Sequence, residues 1–82
     1  MTTCLVKNTA ERLKRYIVGK VKYRITDDTV EFLIITANLP VWRYRITKNV
    51  LLTDFNNGKA SVALAFEIYK CYKSYITKLF FK

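Results

Sequence analysis

The chain has 82 residues, 51% of them hydrophobic, and a formal net charge of +9 at pH 7. That length predicts a single domain covering residues 1–82, and the apolar content excludes an intrinsically disordered chain. Histidine is absent and only two glycines are present, so the commonest general base and metal ligand is missing and no glycine-rich phosphate loop can form. We therefore predict that the protein is not an enzyme and uses no cofactor and no metal.

The chain shows no targeting or membrane segment. Near its start only residues 4–6 are consecutively apolar, and its longest uncharged apolar run covers residues 32–35; these are too short for an export signal or a membrane span. Cys4 and Cys71 are too few for a disulfide framework and lack the paired spacing of metal ligands. We expect a cytoplasmic protein without a transmembrane segment.

The N-terminal segment is predicted to form a short helix. Asn8 and Glu11 have the spacing of a capping box, and apolar residues follow at helical intervals. These signals favour a helix over residues 9–17, although Tyr16 and the residues after it could instead begin a strand and add a member to the sheet. Gly19 separates this segment from the first predicted strand.

Three strands are predicted next, over residues 20–26, 29–37 and 41–47. The Asp27-Asp28 pair is typical of a tight hairpin turn, and the second strand is apolar on both faces, as expected for the central strand of a sheet. The Asn38-Leu-Pro40 stretch then ends that strand, because proline cannot donate a ladder hydrogen bond.

A turn at residues 56–58 leads into a long helix predicted over residues 59–80. Its polar residues occupy one narrow side, so its apolar surface exceeds what one small sheet can bury. Such a helix is about 33 Å long against roughly 23 Å for a seven-residue strand. Its C-terminal third should overhang the sheet and carries Tyr75, Leu79, Phe80 and Phe81. This end would fray, dock on the N-terminal helix or be buried against a second copy of the protein. We favour the last of these, a homodimer.

These elements predict an α+β fold, with a short N-terminal helix, a three-stranded antiparallel β-meander and a long C-terminal helix packed across one sheet face. The residues predicted to lie beneath that helix are Val21, Tyr23, Phe32, Ile34, Trp42 and Tyr44.

Alternate positions in the first and third strands are basic, which places these side chains on one sheet face and the aromatic residues between them on the other. A concentrated positive face is typical of a nucleic-acid partner, with DNA favoured, and arginine grips phosphate oxygens in pairs. We therefore predict a small non-enzymatic regulatory protein that contacts phosphates. The predicted binding residues are Lys20, Lys22, Arg24, Arg43 and Arg45.

Two alternatives stay open for this face. Leu33 and Ile35 should lie beside the arginines, a combination typical of protein contacts, so the runner-up is a modulator of the phage or mobile-element accessory type that docks on an acidic partner protein. The third possibility is a solvated face on which Glu31 pairs with one of the cations. Trp42, Tyr23 and Tyr44 are interpreted as core residues rather than as stacking platforms for bases.

Overall fold

Three helices and three strands make up the fold, and the computed structural model describes residues 2–55 and 58–80. In chain order the elements are α1 (Thr2–Tyr16), β1 (Lys20–Ile25), β2 (Thr29–Ile35), β3 (Trp42–Thr47), α2 (Lys48–Asp54) and α3 (Ala60–Phe80). The predicted α+β architecture is therefore confirmed. One additional short helix, α2, follows the last strand and precedes the long helix in the chain. Within the described ranges no helix combines the length and the apolarity needed to cross a membrane.

The sheet is an antiparallel meander in the order β1-β2-β3. Its first hairpin closes at the Asp27-Asp28 turn, where the backbone N–H of Thr26 donates to the carbonyl oxygen of Thr29 at 2.8 Å. The N–H of Thr29 in turn donates to the hydroxyl oxygen of Thr26 at 3.2 Å. This turn fixes the register of β1 on β2, and the predicted hairpin is confirmed.

One face of the sheet is covered by the helices and forms the core. Its buried members are Val21, Val30, Phe32, Ile34 and Ile46, and the helices contribute Val6, Ala10, Leu13, Leu51, Leu64, Ala65, Ile68 and Tyr72. Of the residues predicted to lie beneath α3, Trp42 and Tyr44 are only half-buried. Tyr23 is 38% exposed because it lies on the edge strand β1.

The first helix begins earlier than predicted, at Thr2 instead of residue 9. Asn8 is therefore an exposed residue within the helix, and the capping-box interpretation is wrong. The Thr9 side chain is fully buried and its hydroxyl donates to the carbonyl oxygen of Leu5 at 2.6 Å. A buried stripe that starts at Val6 packs this helix on the core, and such packing outweighs local capping signals.

Gly19 turns the chain from α1 into β1, and its φ of +143° is strained for any residue with a side chain. A Cβ atom built at this position would lie 2.5 Å from the carbonyl oxygen of Ile35. The close approach lets α1 fold back over the core face of the sheet. Because α1 ends at Tyr16, the alternative in which a strand starts there is wrong.

The short helix α2 was not predicted. The Thr47 hydroxyl accepts a hydrogen bond from the N–H of Val50 at 3.2 Å and caps its N-terminus, and Leu51 is its buried residue. A single buried side chain gives no helical periodicity to recognise in the sequence. Residues 56 and 57 of the predicted turn lie outside the described residues.

The long helix packs along the sheet and against α1. Tyr72 meets Trp42 with ring centroids 5.4 Å apart, and Tyr75 meets the same ring at 6.2 Å. The expectation that Tyr75 overhangs the sheet is therefore wrong, because it contacts an aromatic residue of β3. Phe80 is 64% exposed, and Phe81 lies outside the described residues.

Candidate nucleic-acid interface

The second face of the sheet carries the five predicted binding residues, and all five side chains are exposed. Strand register aligns them in rows, with Lys22 and Arg43 on either side of Leu33, and Arg24 and Arg45 on either side of Glu31. We call this surface, together with the β2 residues between the cations, the basic face. Its members are Lys20, Lys22, Arg24, Glu31, Leu33, Ile35, Arg43 and Arg45.

The basic face is open, because the helices of the described ranges contribute their buried residues to the opposite side. Leu33 and Ile35 are half-buried, and neither belongs to the core cluster or to the apolar residues packed against it within the described residues. Five cations and one anion give this face a formal net charge of +4, against +9 for the whole chain. Nearly half of the net charge is therefore concentrated on one sheet surface.

Glu31 lies at the centre of an ion-pair cluster that the sequence analysis only partly anticipated. One carboxylate oxygen accepts from Nη2 of Arg24 at 3.0 Å. The other accepts from Nε and Nη2 of Arg45 at 3.3 and 2.9 Å. Glu31 thus pairs with two cations instead of one, because it lies on the central strand between them. We call these three residues the arginine-glutamate cluster.

The charges in this cluster are unequally exposed to solvent. The Glu31 side chain is 5% exposed, whereas the Arg24 and Arg45 side chains are 67% and 68% exposed. Hydrogen bonds from Arg45, followed by those from Arg24, lower the pKa of Glu31 below its ordinary value, although burial acts in the opposite direction. Glu31 is therefore ionised at neutral pH. Because each guanidinium group has more N–H donors than it uses on Glu31, both keep donors for an external ligand.

The cluster forms the floor and walls of a shallow notch. This notch has a volume of about 240 Å³ and is lined by Arg24, Thr26, Thr29, Glu31 and Arg45. The Thr26 hydroxyl is already used in the hairpin turn, where it donates to the Thr29 carbonyl oxygen at 3.1 Å. The guanidinium groups are therefore the main donors that the notch offers to a ligand.

The other three cations have a different environment. Lys20 lies opposite Ile35, and Lys22 and Arg43 flank Leu33. Among the described residues no carboxylate forms an ion pair with any of these three side chains. Their full charge is thus available to a phosphate, with apolar side chains between them.

The aromatic residues of the outer strands lie on the core side. The Trp42 ring is within 6.2 Å, centroid to centroid, of the rings of Tyr44, Tyr72 and Tyr75. Burial raises the pKa of the Tyr44 phenol, with the nearby Cys71 and Glu67 adding to the effect. These contacts favour the core interpretation over a stacking platform, since the rings face away from the basic face.

A second surface feature, an apolar groove between α1 and α3, was missed by the sequence analysis. It has a volume of about 330 Å³ and is lined by Arg12, Tyr16, Val62, Ala65, Phe66 and Tyr69. Phe66 is 61% exposed and Tyr16 is 58% exposed. The four-residue spacing of Val62 and Phe66 marks one helix face, but only the position of α1 shows that this face borders a groove.

No three potential metal-ligating side chains come together in the part of the chain that the structure describes. Comparisons of the chain with protein-family models, with curated proteins and with solved structures gave no match. The geometry and the charge of the basic face are therefore the features of the molecule that point to a function.

Proposed function

We propose that this protein is a small non-enzymatic nucleic-acid-binding regulator of the cytoplasm, with DNA as the favoured ligand, and that it contacts phosphates through its basic face. The observation that carries the proposal is an uncovered sheet surface on which the two outer strands present Lys20, Lys22, Arg24, Arg43 and Arg45 around a single anion on the central strand. Positive charge concentrated in this way attracts the phosphate backbone and steers it to the surface.

The width of the sheet supports duplex DNA as the ligand. Neighbouring strands are about 4.8 Å apart, so the backbones of β1 and β3 are separated by about 10 Å. The major groove of B-DNA is about 12 Å wide. Lys20, Lys22 and Arg43, the cations of the outer strands that do not pair with Glu31, would then face the phosphates that border the groove, while the middle of the sheet faces its centre.

Fluorescence anisotropy with labelled duplex DNA, single-stranded DNA and duplex RNA tests the proposal. With about four phosphate contacts, affinity should fall about 100-fold between about 50 and about 200 mM salt. The double variant Lys22→Glu with Arg43→Glu should abolish most binding, because it reverses two unpaired cations without disturbing the arginine-glutamate cluster.

The matched control is Lys7→Glu with Arg15→Glu, which makes the same change in net charge at two exposed positions of α1 that form no ion pair within the described residues. This control should lose much less affinity, since only the overall charge changes. Absence of binding to every probe at about 50 mM salt would overturn the proposal. Equal losses in the two double variants would show that net charge, and not the basic face, is responsible.

A second candidate function is supported by the half-buried Leu33 and Ile35 between the cations. In this alternative the protein is a modulator of the phage or mobile-element accessory type whose basic face docks on an acidic partner protein. A contact centred on these two apolar residues would depend little on salt, whereas phosphate binding weakens steeply. The same salt series therefore separates the two functions once a partner is in hand.

We also propose that the protein forms a homodimer through its C-terminal helix. Val62, Phe66 and Phe80 of α3 are each at least 44% exposed, which is typical of a contact surface. Pairing between sheet edges is disfavoured, because the edge strands β1 and β3 would bring like charges together.

Sedimentation equilibrium tests the dimer with a matched pair of variants. Val62→Lys should shift the protein to the monomer by placing a charge in the apolar contact. Val18→Lys, at a position that is 94% exposed outside α3, should leave the dimer intact. A wild-type protein that is monomeric at about 100 μM, or two variants with the same association constant, would contradict this part of the proposal.

A further inference from the structure

The arginine-glutamate cluster divides the basic face into two chemically different parts. Lys20, Lys22 and Arg43 carry unopposed charge within the described residues. Arg24 and Arg45 share the carboxylate of Glu31 through three hydrogen bonds of 2.9–3.3 Å. The first part therefore offers charge, whereas the second offers donors that are held in a defined position.

Glu31 makes the cluster a poor site for a phosphate. Its carboxylate is ionised and lies between the two guanidinium groups, so it repels an incoming anion and cancels one of their two positive charges. A neutral acceptor is not repelled in this way. Base edges in the major groove are such acceptors, because guanine presents O6 and N7 side by side without a formal charge.

The hydrogen-bond pattern leaves the donors that such a base requires. Arg45 uses Nε and Nη2 on one oxygen of Glu31, so Nη1 and the second hydrogen of Nη2 at the end of the guanidinium group are available. Arg24 uses only Nη2 and retains Nε and Nη1. A carboxylate that fixes an arginine also reduces the side-chain entropy lost on binding, which favours directional contacts.

We propose that Arg24 and Arg45, oriented by Glu31, recognise guanine edges in the major groove of duplex DNA, while Lys20, Lys22 and Arg43 hold the phosphates. This inference rests on the proposed function and adds sequence preference to it. Phosphate contacts fix the position of a protein on the duplex, and base contacts carry its specificity. The two roles are assigned here to different members of one sheet face.

Selection from a randomised duplex DNA library with the wild-type protein should enrich a guanine-containing site. Anisotropy titrations then compare the selected duplex with a scrambled duplex. Replacing the enriched guanines with 7-deazaguanine, which lacks the N7 acceptor, should reduce the preference for the selected duplex. A bidentate contact gives about 5- to 150-fold discrimination, and because 7-deazaguanine keeps O6, the loss per guanine should be smaller than that full discrimination.

Two arginine-to-lysine variants form the matched comparison. Arg45→Lys retains the charge but loses the planar fork, so the ratio of affinities for the selected and scrambled duplexes should fall about 5- to 150-fold. Arg43→Lys makes the same chemical change at a predicted phosphate contact and should leave that ratio within about twofold of the wild-type value.

Glu31→Gln separates orientation from charge. It adds one net positive charge to the basic face, so affinity for the scrambled duplex should increase and its salt dependence should become steeper by about one phosphate contact. The preference for the selected duplex should decrease, because the arginines lose the carboxylate that orients them. Circular dichroism verifies that the variant is folded, and the two arginine-to-lysine variants decide the question if it is not.

The outcomes distinguish the inference from the proposed function. Absence of an enriched site overturns base recognition while salt-dependent binding through the basic face stands. Equal loss of preference in Arg43→Lys and Arg45→Lys overturns the assignment of base contacts to Arg45 and of phosphate contacts to Arg43. An unchanged preference in folded Glu31→Gln overturns the orienting role of the carboxylate. Failure of the wild-type protein to bind any duplex at about 50 mM salt instead removes the proposed function itself.

Discussion

The two faces of β2 bury their side chains by different means. Phe32 and Ile34, at 0% and 1% exposure, lie beneath the helical layer on the core face. Glu31 points to the open face and its side chain is only 5% exposed, yet no helix of the described residues covers it. The arginines of the neighbouring strands cover it instead. Leu33, which lies between Lys22 and Arg43, is only half-buried, because neither cation folds over it in an ion pair. Burial by a second layer stabilises the fold, whereas burial by exposed arginines leaves a surface that can still bind a ligand.

The largest difference in stability is expected between substitutions at two adjacent residues that lie on opposite faces of β2. Phe32→Ala should lower the free energy of unfolding by about 3–5 kcal/mol, because it opens a cavity beneath the helices. Leu33→Ala should cost roughly 1 kcal/mol, since its side chain is already partly in water. Urea unfolding followed by circular dichroism measures both changes. Equal losses would mean that the basic face is covered in solution.

The next largest effect on stability is expected at the turn that places α1 over the core face. Gly19→Ala should destabilise the protein by about 1–3 kcal/mol, because the positive φ and the nearby carbonyl oxygen of Ile35 leave no room for a methyl group. Gly58→Ala is the control, since a Cβ atom there meets no atom within 4 Å among the described residues beyond its chain neighbours. The thermal unfolding temperature of the control should change little. An equally small change for Gly19→Ala would contradict the close approach of this turn to Ile35.

A smaller effect is expected at the N-terminus of α2, which contributes Leu51 to the core face. Thr47→Ala should cost about 1 kcal/mol, because the N–H of Val50 loses its acceptor. Thr47→Ser keeps the hydroxyl and should recover most of that stability. If the two variants unfold at the same denaturant concentration, the cap contributes nothing.

The smallest effect is expected on the open face, where solvent screens the arginine partners of Glu31. In the folded protein the pKa of Glu31 is lowered from its ordinary value of 4.5. The unfolded chain therefore binds more protons than the folded protein as the pH falls below that value. The ion-pair contribution to stability is therefore present above that pH and is lost as the pH falls through the folded-state pKa. Unfolding curves between about pH 5 and pH 2 should show this loss in the wild type and not in Glu31→Gln. Parallel pH profiles would rule out the ion pairs as its source.

Much of the sheet could be predicted because its signals are local. The Asp27-Asp28 turn and the alternation of basic and aromatic residues determine which side chains share a face, and the structure has the predicted hairpin and meander. Helix boundaries were harder to predict. The start of α1 depends on the packing of Val6 against the core, and α2 depends on one cap and one buried leucine.

The sequence by itself determined the α+β fold and the gathering of Lys20, Lys22, Arg24, Arg43 and Arg45 on one face, since a strand alternates its side chains with a period of two wherever it lies. Only the tertiary structure decided which cations remain unpaired. That choice depends on the register of three strands, which places Glu31 between Arg24 and Arg45 and leaves Leu33 between Lys22 and Arg43. The physical reason is that ion pairing requires contact within a few ångströms, and residues far apart in the chain reach that distance only when the sheet has formed.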